Sequence, residues 1–457
     1  MSLSLIILAA GRGTRMVSDL PKVLHEVANL PLVGHAMQAG AALDPERCVV
    51  VTGHGADSVA RCVQGLDPDA RIAHQAQQKG TAHAVAQASP ALDGFSGDVI
   101  VLYGDTPFIR PDTLLAMQAR RRTGADIVVL GFEAADPGRY GRLIVEDERL
   151  ARIVEAKDAT EAELAVRLCN SGVICADWAT LDALVSRVGN DNASGEYYLT
   201  DIVGLATADG LHCAVEQCDE AETMGINSRV ELARAEAVYQ QAARARAMDG
   251  GATMVAPETV FLSHDTRLGR DITIEPHVVF GPGVAVGDGA MLRAFSHLEG
   301  CDVGDDAVVG PYARVRPGTR LGAGARIGNF VETKNADLGE GAKVNHLSYV
   351  GDAAVGAHAN IGAGTITCNY DGVFKHRTQV GAGAFVGTNT ALVAPVTVGA
   401  GAMTAAGSVI TSDVPEGALA IARAQQVNKP GLAQRLREKL QALKARLAAN
   451  GNISSDG

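Results

Sequence analysis

The stretch Leu268-Gly-Arg-Asp-Ile-Thr-Ile274-Glu-Pro-His-Val-Val-Phe280-Gly-Pro-Gly-Val-Ala-Val286 decides the fold of the C-terminal half. A large aliphatic or aromatic residue recurs at every sixth position, and the beat continues through Leu292 and Leu298. The count slips by one and resumes at Val303, Val309, Val315, Leu321 and Ile327. It returns at Leu338, Val344, Val350, Val355 and Ile361, and again at Val380, Val386, Leu392 and Val398. Glycine often follows directly, as at Gly281, Gly287, Gly310 and Gly387. A period of six suits neither a helix nor a two-faced strand. It marks a hexapeptide β-solenoid. One side chain per hexapeptide points inward, three hexapeptides close a triangular coil, and stacked coils bury a continuous core. A Gly-rich β-sandwich would alternate by two, and that alternation is absent.

Working outward, 457 residues are too many for one typical domain, and two or three are expected. Apolar residues make up 47% and aromatics only 4%, so the cores are aliphatic. A net charge of −12 argues against nucleic acid as a partner. No apolar run is long enough for a transmembrane helix. The start, Met1-Ser-Leu-Ser-Leu-Ile-Ile-Leu, lacks a basic region and runs straight into a strand pattern, so it reads as mature protein. The eight cysteines are scattered without a C-x-x-C pair, which reads as free thiols in a cytoplasmic protein.

Residues 1 to about 226 alternate apolar, β-branched runs with helical patterns. Leu3–Leu8, Cys48–Thr52, Val99–Tyr103 and Ile127–Phe132 are strand candidates; Thr81–Ala88 and Asp112–Arg122 are helical. A mostly parallel sheet covered by helices follows, with ligands at the carboxyl ends of its strands. The first strand ends in Leu8-Ala9-Ala10-Gly11-Arg12-Gly13-Thr14-Arg15-Met16, where small residues let backbone N–H groups approach phosphate. It completes neither a Walker A loop nor a dinucleotide fingerprint. Taken alone it could be a tight strand-to-helix turn. The continuation Leu20-Pro21-Lys22 adds a fixed cation.

Together these segments resemble the signature of sugar-1-phosphate nucleotidylyltransferases. Joined to the solenoid, the chain is similar from Leu5 to about Arg423 to the bacterial bifunctional N-acetylglucosamine-1-phosphate uridylyltransferases / glucosamine-1-phosphate N-acetyltransferases. The resemblance implies a Rossmann-like mixed-sheet α/β nucleotidyltransferase domain joined by a helix to a left-handed parallel β-helix. It assigns nucleotide and UDP-sugar contacts to Leu8, Ala9, Ala10, Gly11, Arg15, Lys22, Gln75, Gly80, Thr81, Tyr103, Gly104, Asp105, Gly141, Glu155, Asn170 and Asn227. Asp105 and Asn227 would hold Mg²⁺, a hard cation that favours oxygen ligands. UTP and N-acetylglucosamine-1-phosphate are the implied substrates of this half.

Arg229–Asp249, rich in Ala, Glu, Arg and Gln, is a strong helix ended by Gly250-Gly251. The expected domains are 1–227, a linker helix over 228–250, and 251–457. The hexapeptide count breaks at Cys368–Arg377, and such insertions map to exposed loops, often at a binding face. His346 stands off the inward register set by Val344. Within the resemblance it is the general base for acetyl transfer, a role that suits imidazole. Arg316, Lys334, Tyr349 and Asn360 would bind glucosamine-1-phosphate. Ala363, Asn369, Tyr370, Thr388, Ala406 and Arg423 would bind acetyl-CoA. Thr388 stands where the family has serine, and Val373-Phe374 departs from the polar residues expected there. A homotrimer is implied, as is a product used for peptidoglycan and lipopolysaccharide precursors. Leucines at 432, 436, 440, 443 and 447 place a C-terminal amphipathic helix at about 430–448, read as a cap on the solenoid. A single-activity nucleotidylyltransferase with an oligomerising solenoid is the alternative; it predicts loss of His346, Tyr349 or the Asn369-Tyr370 loop. A non-catalytic subunit would lack Lys22, Asp105 or Asn227.

Overall fold

A computed structural model describes residues 2–450. The chain divides into two compact units, residues 1–300 and 301–457. The first opens with β1 (Ser2–Ala9), a short hairpin of β2 (Glu26–Val27) and β3 (Leu30–Pro31), α1 (Leu32–Ala41), β4 (Arg47–Thr52), α2 (Ala56–Leu66) and β5 (Arg71–His74). It continues with α3 (Thr81–Ala86), β6 (Gly97–Tyr103), α4 (Pro111–Arg122), β7 (Ile127–Glu133), β8 (Arg142–Glu146), β9 (Arg149–Val154) and α5 (Glu161–Leu164). β10 (Leu168–Asp177), α6 (Trp178–Val185), α7 (Asp201–Ala208), β11 (Cys213–Cys218) and α8 (Arg229–Asp249) follow.

The main sheet runs β11-β7-β10-β6-β1-β4-β5. β1 pairs in parallel with β4 and β6, while β10 is antiparallel to both β6 and β7, so the sheet is mixed. Its central strands read as continuous apolar runs because both faces are covered. Ile6 and Leu8 enter one core with Val99 and Val101; Leu5 and Ile7 enter the other with Ile100 and Leu102. The carboxyl ends of β1 and β6 lie side by side, with Leu8 opposite Tyr103. That register sets the turn that follows β1 beside Asp105.

α8 is more than a spacer. Ser228 caps it by accepting from the Glu231 N–H, and Ala235 packs with Val27, Leu32 and Ile226. Glu236 accepts from the Ala28 N–H at 2.8 Å. Buried Gln240 donates to the Leu262 carbonyl at 2.7 Å and accepts from its N–H at 2.8 Å, fixing the helix to the start of the hexapeptide region. Strands of two residues follow, with Arg267 opposite Ala285 and Thr273 opposite Met291, a spacing of 18.

In the second unit the same stacking continues: Cys301 pairs with Thr319, and Val308 with Arg326, all parallel. Eighteen residues per turn are three hexapeptides, an architecture consistent with the left-handed β-helix. The counted residues from Val303 to Val398 are buried, and alanines two places before many of them, such as Ala307, Ala325 and Ala342, are buried as well. Each buried Val, Leu or Ile of the count contributes about 1.5–3 kcal/mol when removed from water. The register drops to 17 at Glu332–Tyr349 and Lys343–Asn360, which accounts for the shortened steps from Ile327 to Leu338 and from Val350 to Val355. It rises to 25 at Asn360–Phe385, because Cys368–Arg377 leaves the coil as a loop. α9 (Leu432–Ala449) forms where expected, but it buries no residue, and Leu436, Leu440 and Leu443 are exposed. It does not seal the coil within this chain, contrary to the capping expectation.

Candidate active sites

The first site is built where β1 ends. The chain reverses at Gly13, whose φ of 59° is left-handed; a Cβ there would lie 2.5 Å from Lys22 Cβ, so a side chain would displace the cation. Lys22 Nζ pairs with the Asp105 carboxylate and donates to Asn227 Oδ1 at 3.0 Å. Asp105 follows β6 directly. Asn227 is fixed by its N–H donating to Glu231 at 2.6 Å, and the Ile226 N–H donates to the Asp105 carbonyl at 3.0 Å. Two oxygens from distant segments thus converge on one ammonium. The donor set, one carboxylate and one amide carbonyl, fits a hard divalent ion that takes its other ligands from phosphates and water. Among the described residues no group of three or more His, Cys, Asp or Glu could hold a metal alone.

Leu8, Ala9, Ala10, Gly11, Lys22, Gln75, Gly80, Thr81, Tyr103 and Asp105 line one cleft of about 280 Å³. Gly104 backs it, its N–H donating to the Leu8 carbonyl at 2.9 Å. Gln75 is buried, and its amide nitrogen bonds the Gly80 carbonyl at 3.1 Å and His83 Nδ1 at 2.9 Å. Both amide hydrogens are used, so its oxygen is the group left to accept. Gly80 must be glycine: at φ 119° a Cβ would meet the Tyr197 carbonyl at 2.4 Å.

Gly141, Glu155 and Asn170 form a neighbouring cluster. The Asn170 N–H donates to the Gly141 carbonyl at 2.8 Å, and Glu155 Oε1 would sit 3.5 Å from a Cβ on Gly141. Burial pushes the Glu155 carboxyl up, Thr200 pulls it down by donating at 3.2 Å, and Asp201 and Asp158 push it up again. Tyr103 joins cleft and cluster: burial raises its hydroxyl pKa, and both Asp105 and Glu155 add to the rise. Arg15 is exposed on the turn Thr14–Met16 and does not line the cleft. Gln78 and Glu196 do line it; Gln78 falls inside the Gln75–Thr81 segment, whereas nothing in the local sequence marks Glu196.

The second site lies on the coils of residues 301–450. His346 Nδ1 donates to Asn329 Oδ1 at 2.7 Å, which leaves Nε2 with the lone pair. Asn329 pairs with His346 in the adjacent coil, 17 residues earlier, and that spacing was readable from the repeat. Arg316 pairs with Glu332 at 2.7 Å. Lys334 faces Lys375 and Arg316, and these cations pull its pKa down, Lys375 foremost. Tyr349 lies back over Gly351, where a Cβ would meet its hydroxyl at 2.3 Å; Gly351 is also the register partner of Lys334. Asn360 is one coil above Lys343.

Ala363, Thr388, Ala406 and Arg423 make one column up the stack. The Asn389 N–H donates to the Ala363 carbonyl at 2.7 Å, the Gly407 N–H to the Thr388 carbonyl at 2.8 Å, and Arg423 to the Ala406 carbonyl at 2.9 Å. Asn369 donates to Asp352 at 2.5 Å, and Asn335 to the same carboxylate at 2.6 Å. Within the loop, Asp371 accepts from the Val373 and Phe374 N–H groups and pairs with His376 at 2.7 Å. Tyr370 is exposed and donates its hydroxyl to the Gly372 carbonyl at 2.6 Å. Val373 and Phe374, the departure from polar sequence, are exposed as well.

A mixed α/β sheet with a glycine-rich turn and a lysine at its carboxyl edge, followed by hexapeptide coils carrying an oriented histidine, defines a nucleotidyltransferase joined to a hexapeptide-repeat transferase. Residues 5–171 match the MobA-like NTP transferase domain model, and residues 300–335 the bacterial transferase hexapeptide (six repeats) model. The chain is 61% identical over 442 residues to the bifunctional protein GlmU of Jannaschia sp. (strain CCS1), covering 97% of both chains. It is 62% identical to that of Ruegeria sp. (strain TM1040), covering 97% of this chain and 99% of the relative. It is 62% identical to that of Cereibacter sphaeroides (strain ATCC 17025 / ATH 2.4.3), covering 96% and 97%. The chain belongs to the bifunctional GlmU family.

Proposed function

We propose that this chain makes UDP-N-acetylglucosamine in two steps, one in each functional half. In the first, the amine of glucosamine-1-phosphate attacks the acetyl-CoA thioester. A C–N bond forms, the C–S bond breaks, and the amine proton passes by way of His346 to the departing thiolate. Asn329 fixes the tautomer in which Nε2 accepts that proton. Arg316 and Lys334 hold the sugar phosphate with Tyr349 and Asn360, and the column from Ala363 to Arg423, with Asn369 and Tyr370, takes acetyl-CoA.

In the second step, the phosphate oxygen of N-acetylglucosamine-1-phosphate attacks the α-phosphorus of UTP, and the bond to the β-phosphate breaks to release pyrophosphate. Such chemistry depends on positioning and charge neutralisation. The backbone of Leu8–Gly11, together with Arg15 and Lys22, meets the triphosphate. Gln75 reads uracil: its free oxygen accepts from N3–H, a donor that cytosine lacks. Thr81, Tyr103 and Gly104 flank the nucleotide, and Gly141, Glu155 and Asn170 take the sugar. Mg²⁺ held by Asp105 and Asn227 would neutralise phosphate charge.

The domains 1–227, 228–250 and 251–457 are proposed as the functional divisions. A homotrimer is supported by Phe385, Met403 and Leu419, exposed apolar residues in register on three successive coils. Cytoplasmic location is supported by eight free cysteines and by substrates of central metabolism. No helix among the described residues is long and apolar enough to cross a membrane.

The observation that carries the reading is the coexistence, in one chain, of the Lys22–Asp105–Asn227 centre and the Asn329–His346 pair. Purified protein given glucosamine-1-phosphate, acetyl-CoA, UTP and Mg²⁺ should release both thiol and pyrophosphate. His346→Ala should abolish thiol release and keep pyrophosphate release from N-acetylglucosamine-1-phosphate; Asp105→Ala should do the reverse. If one product never forms where the other does, the bifunctional reading fails.

A further inference from the structure

Two residues assigned above to the triphosphate, Arg15 outside the cleft's lining and Lys22 within it, stand on segments with little structure of their own. Arg15 lies in the single 3-10 turn Thr14–Met16, and Lys22 opens another, Lys22–Leu24. Such turns are short and weakly held. One side chain from elsewhere joins them. Arg229, the first residue of α8, donates through Nε to the Met16 carbonyl at 3.2 Å and through Nη1 to His25 Nδ1 at 3.2 Å. A guanidinium can only donate, so His25 Nδ1 accepts. His25 is 5% exposed. Burial lowers its pKa, and the Arg229 charge lowers it further against the Leu20 backbone, so the accepting form is favoured. Arg229 also stands two residues after Asn227, whose side-chain oxygen accepts from Lys22.

We propose that Arg229 and His25 form a clasp that sets Arg15, Lys22 and Asn227 in mutual register for uridylyl transfer. Both are positioning residues; the planar fork of Arg229 spans two acceptors that lie at the ends of two different turns, which an ammonium cannot do. The clasp also ties the geometry of the cleft to the seating of α8 against Ala28 and Leu262. The inference rests on the uridylyl reading, and wild-type protein that releases no pyrophosphate would sink that reading, not the clasp.

The test uses the full chain, with pyrophosphate release from UTP and N-acetylglucosamine-1-phosphate as the readout and thiol release from acetyl-CoA as the control. Arg229→Ala should lose about 10–100-fold in kcat, the scale of a displacement near 1 Å, with thiol release unchanged. Millimolar guanidinium should restore part of that loss. His25→Phe keeps ring volume without an acceptor and should match the loss, and the double variant should fall no further. His25→Asn retains an acceptor and should keep most of the rate. Additive losses, an Arg229→Ala rate within about twofold of wild type, or no rescue by guanidinium overturns the clasp. Should Arg229→Ala fail to fold, His25→Phe against His25→Asn decides, and equal rates overturn it.

Discussion

Replacing Asn329 by alanine tests how His346, the proposed acetyl-transfer base, is prepared. The His346 Nδ1–H donates to Asn329 Oδ1 at 2.7 Å, and both residues sit at the same register position on neighbouring coils. Removing a neutral hydrogen bond costs about 0.5–1.5 kcal/mol, which is about 2–13-fold in rate if it acts only in the transition state. His346 is exposed, so water can take over as acceptor, which places the expected loss at the low end, about 2–5-fold. Deleting the base itself, as in His346→Ala, should cost about 10²–10⁴-fold. The assay is thiol release at saturating acetyl-CoA with varied glucosamine-1-phosphate. We expect kcat to fall while KM for the sugar holds and pyrophosphate release stays at the wild-type rate. A loss above about 100-fold would mean that Asn329 meets the substrate itself; an unchanged kcat would mean that the tautomer is set elsewhere. Either result refutes orientation of His346 through Nδ1.

Other predictions follow the same logic. Gly172 has φ 91°, and a Cβ there would lie 2.6 Å from the Tyr103 ring, so Gly172→Ala should cost about 1–2 kcal/mol of backbone strain and displace Tyr103. Calorimetry should record a lower Tm, and pyrophosphate release should weaken with thiol release intact. Burial raises the Glu155 pKa, so the native state holds its proton more tightly than the unfolded chain, and stability falls as pH rises from the ordinary carboxylate range through the raised native value. Glu155→Gln should therefore raise Tm at pH 7–8 while lowering uridylyl transfer; a lower Tm there would refute the burial argument. His376, then the Phe374 and Val373 N–H groups, hold the Asp371 carboxyl at about 2. Its contribution is complete above the ordinary carboxylate range and is lost as pH falls through about 2. The Val373 and Phe374 amides should thus lose protection against hydrogen exchange only in strong acid, and Asp371→Ala, which removes the acceptor, should abolish that protection at neutral pH.

The parts of this molecule that repeat were legible, and the parts that depend on meeting across the fold were not. Hexapeptide spacing located the coils because each inward residue answers to one constraint, burial at a fixed period, and the later irregular steps correspond to real registers of 17 and 25. The strands Leu3–Leu8 and Val99–Tyr103 were visible as apolar runs because both sheet faces are covered. Motif resemblance supplied Lys22, Asp105 and Asn227, but not what holds them. Glu231 under Asn227 and Thr200 on Glu155 come from residues whose local sequence carries no periodic or motif signal, and His83, inside the Gln75–Thr81 motif region, carried no role until it met Gln75. α9 misled for a related reason. A leucine stripe states that a face wants cover without saying what covers it, and among the described residues Leu436, Leu440 and Leu443 stay exposed. Asn329 lies between these cases. It carries no motif of its own, yet a 17-residue step back from His346 lands on it, because stacked coils turn sequence spacing into contact. In a solenoid, the search for residues that support a catalytic group can therefore begin one coil before and one coil after it, whereas in the α/β unit the equivalent partners come from wherever the strand ends and α8 happen to converge.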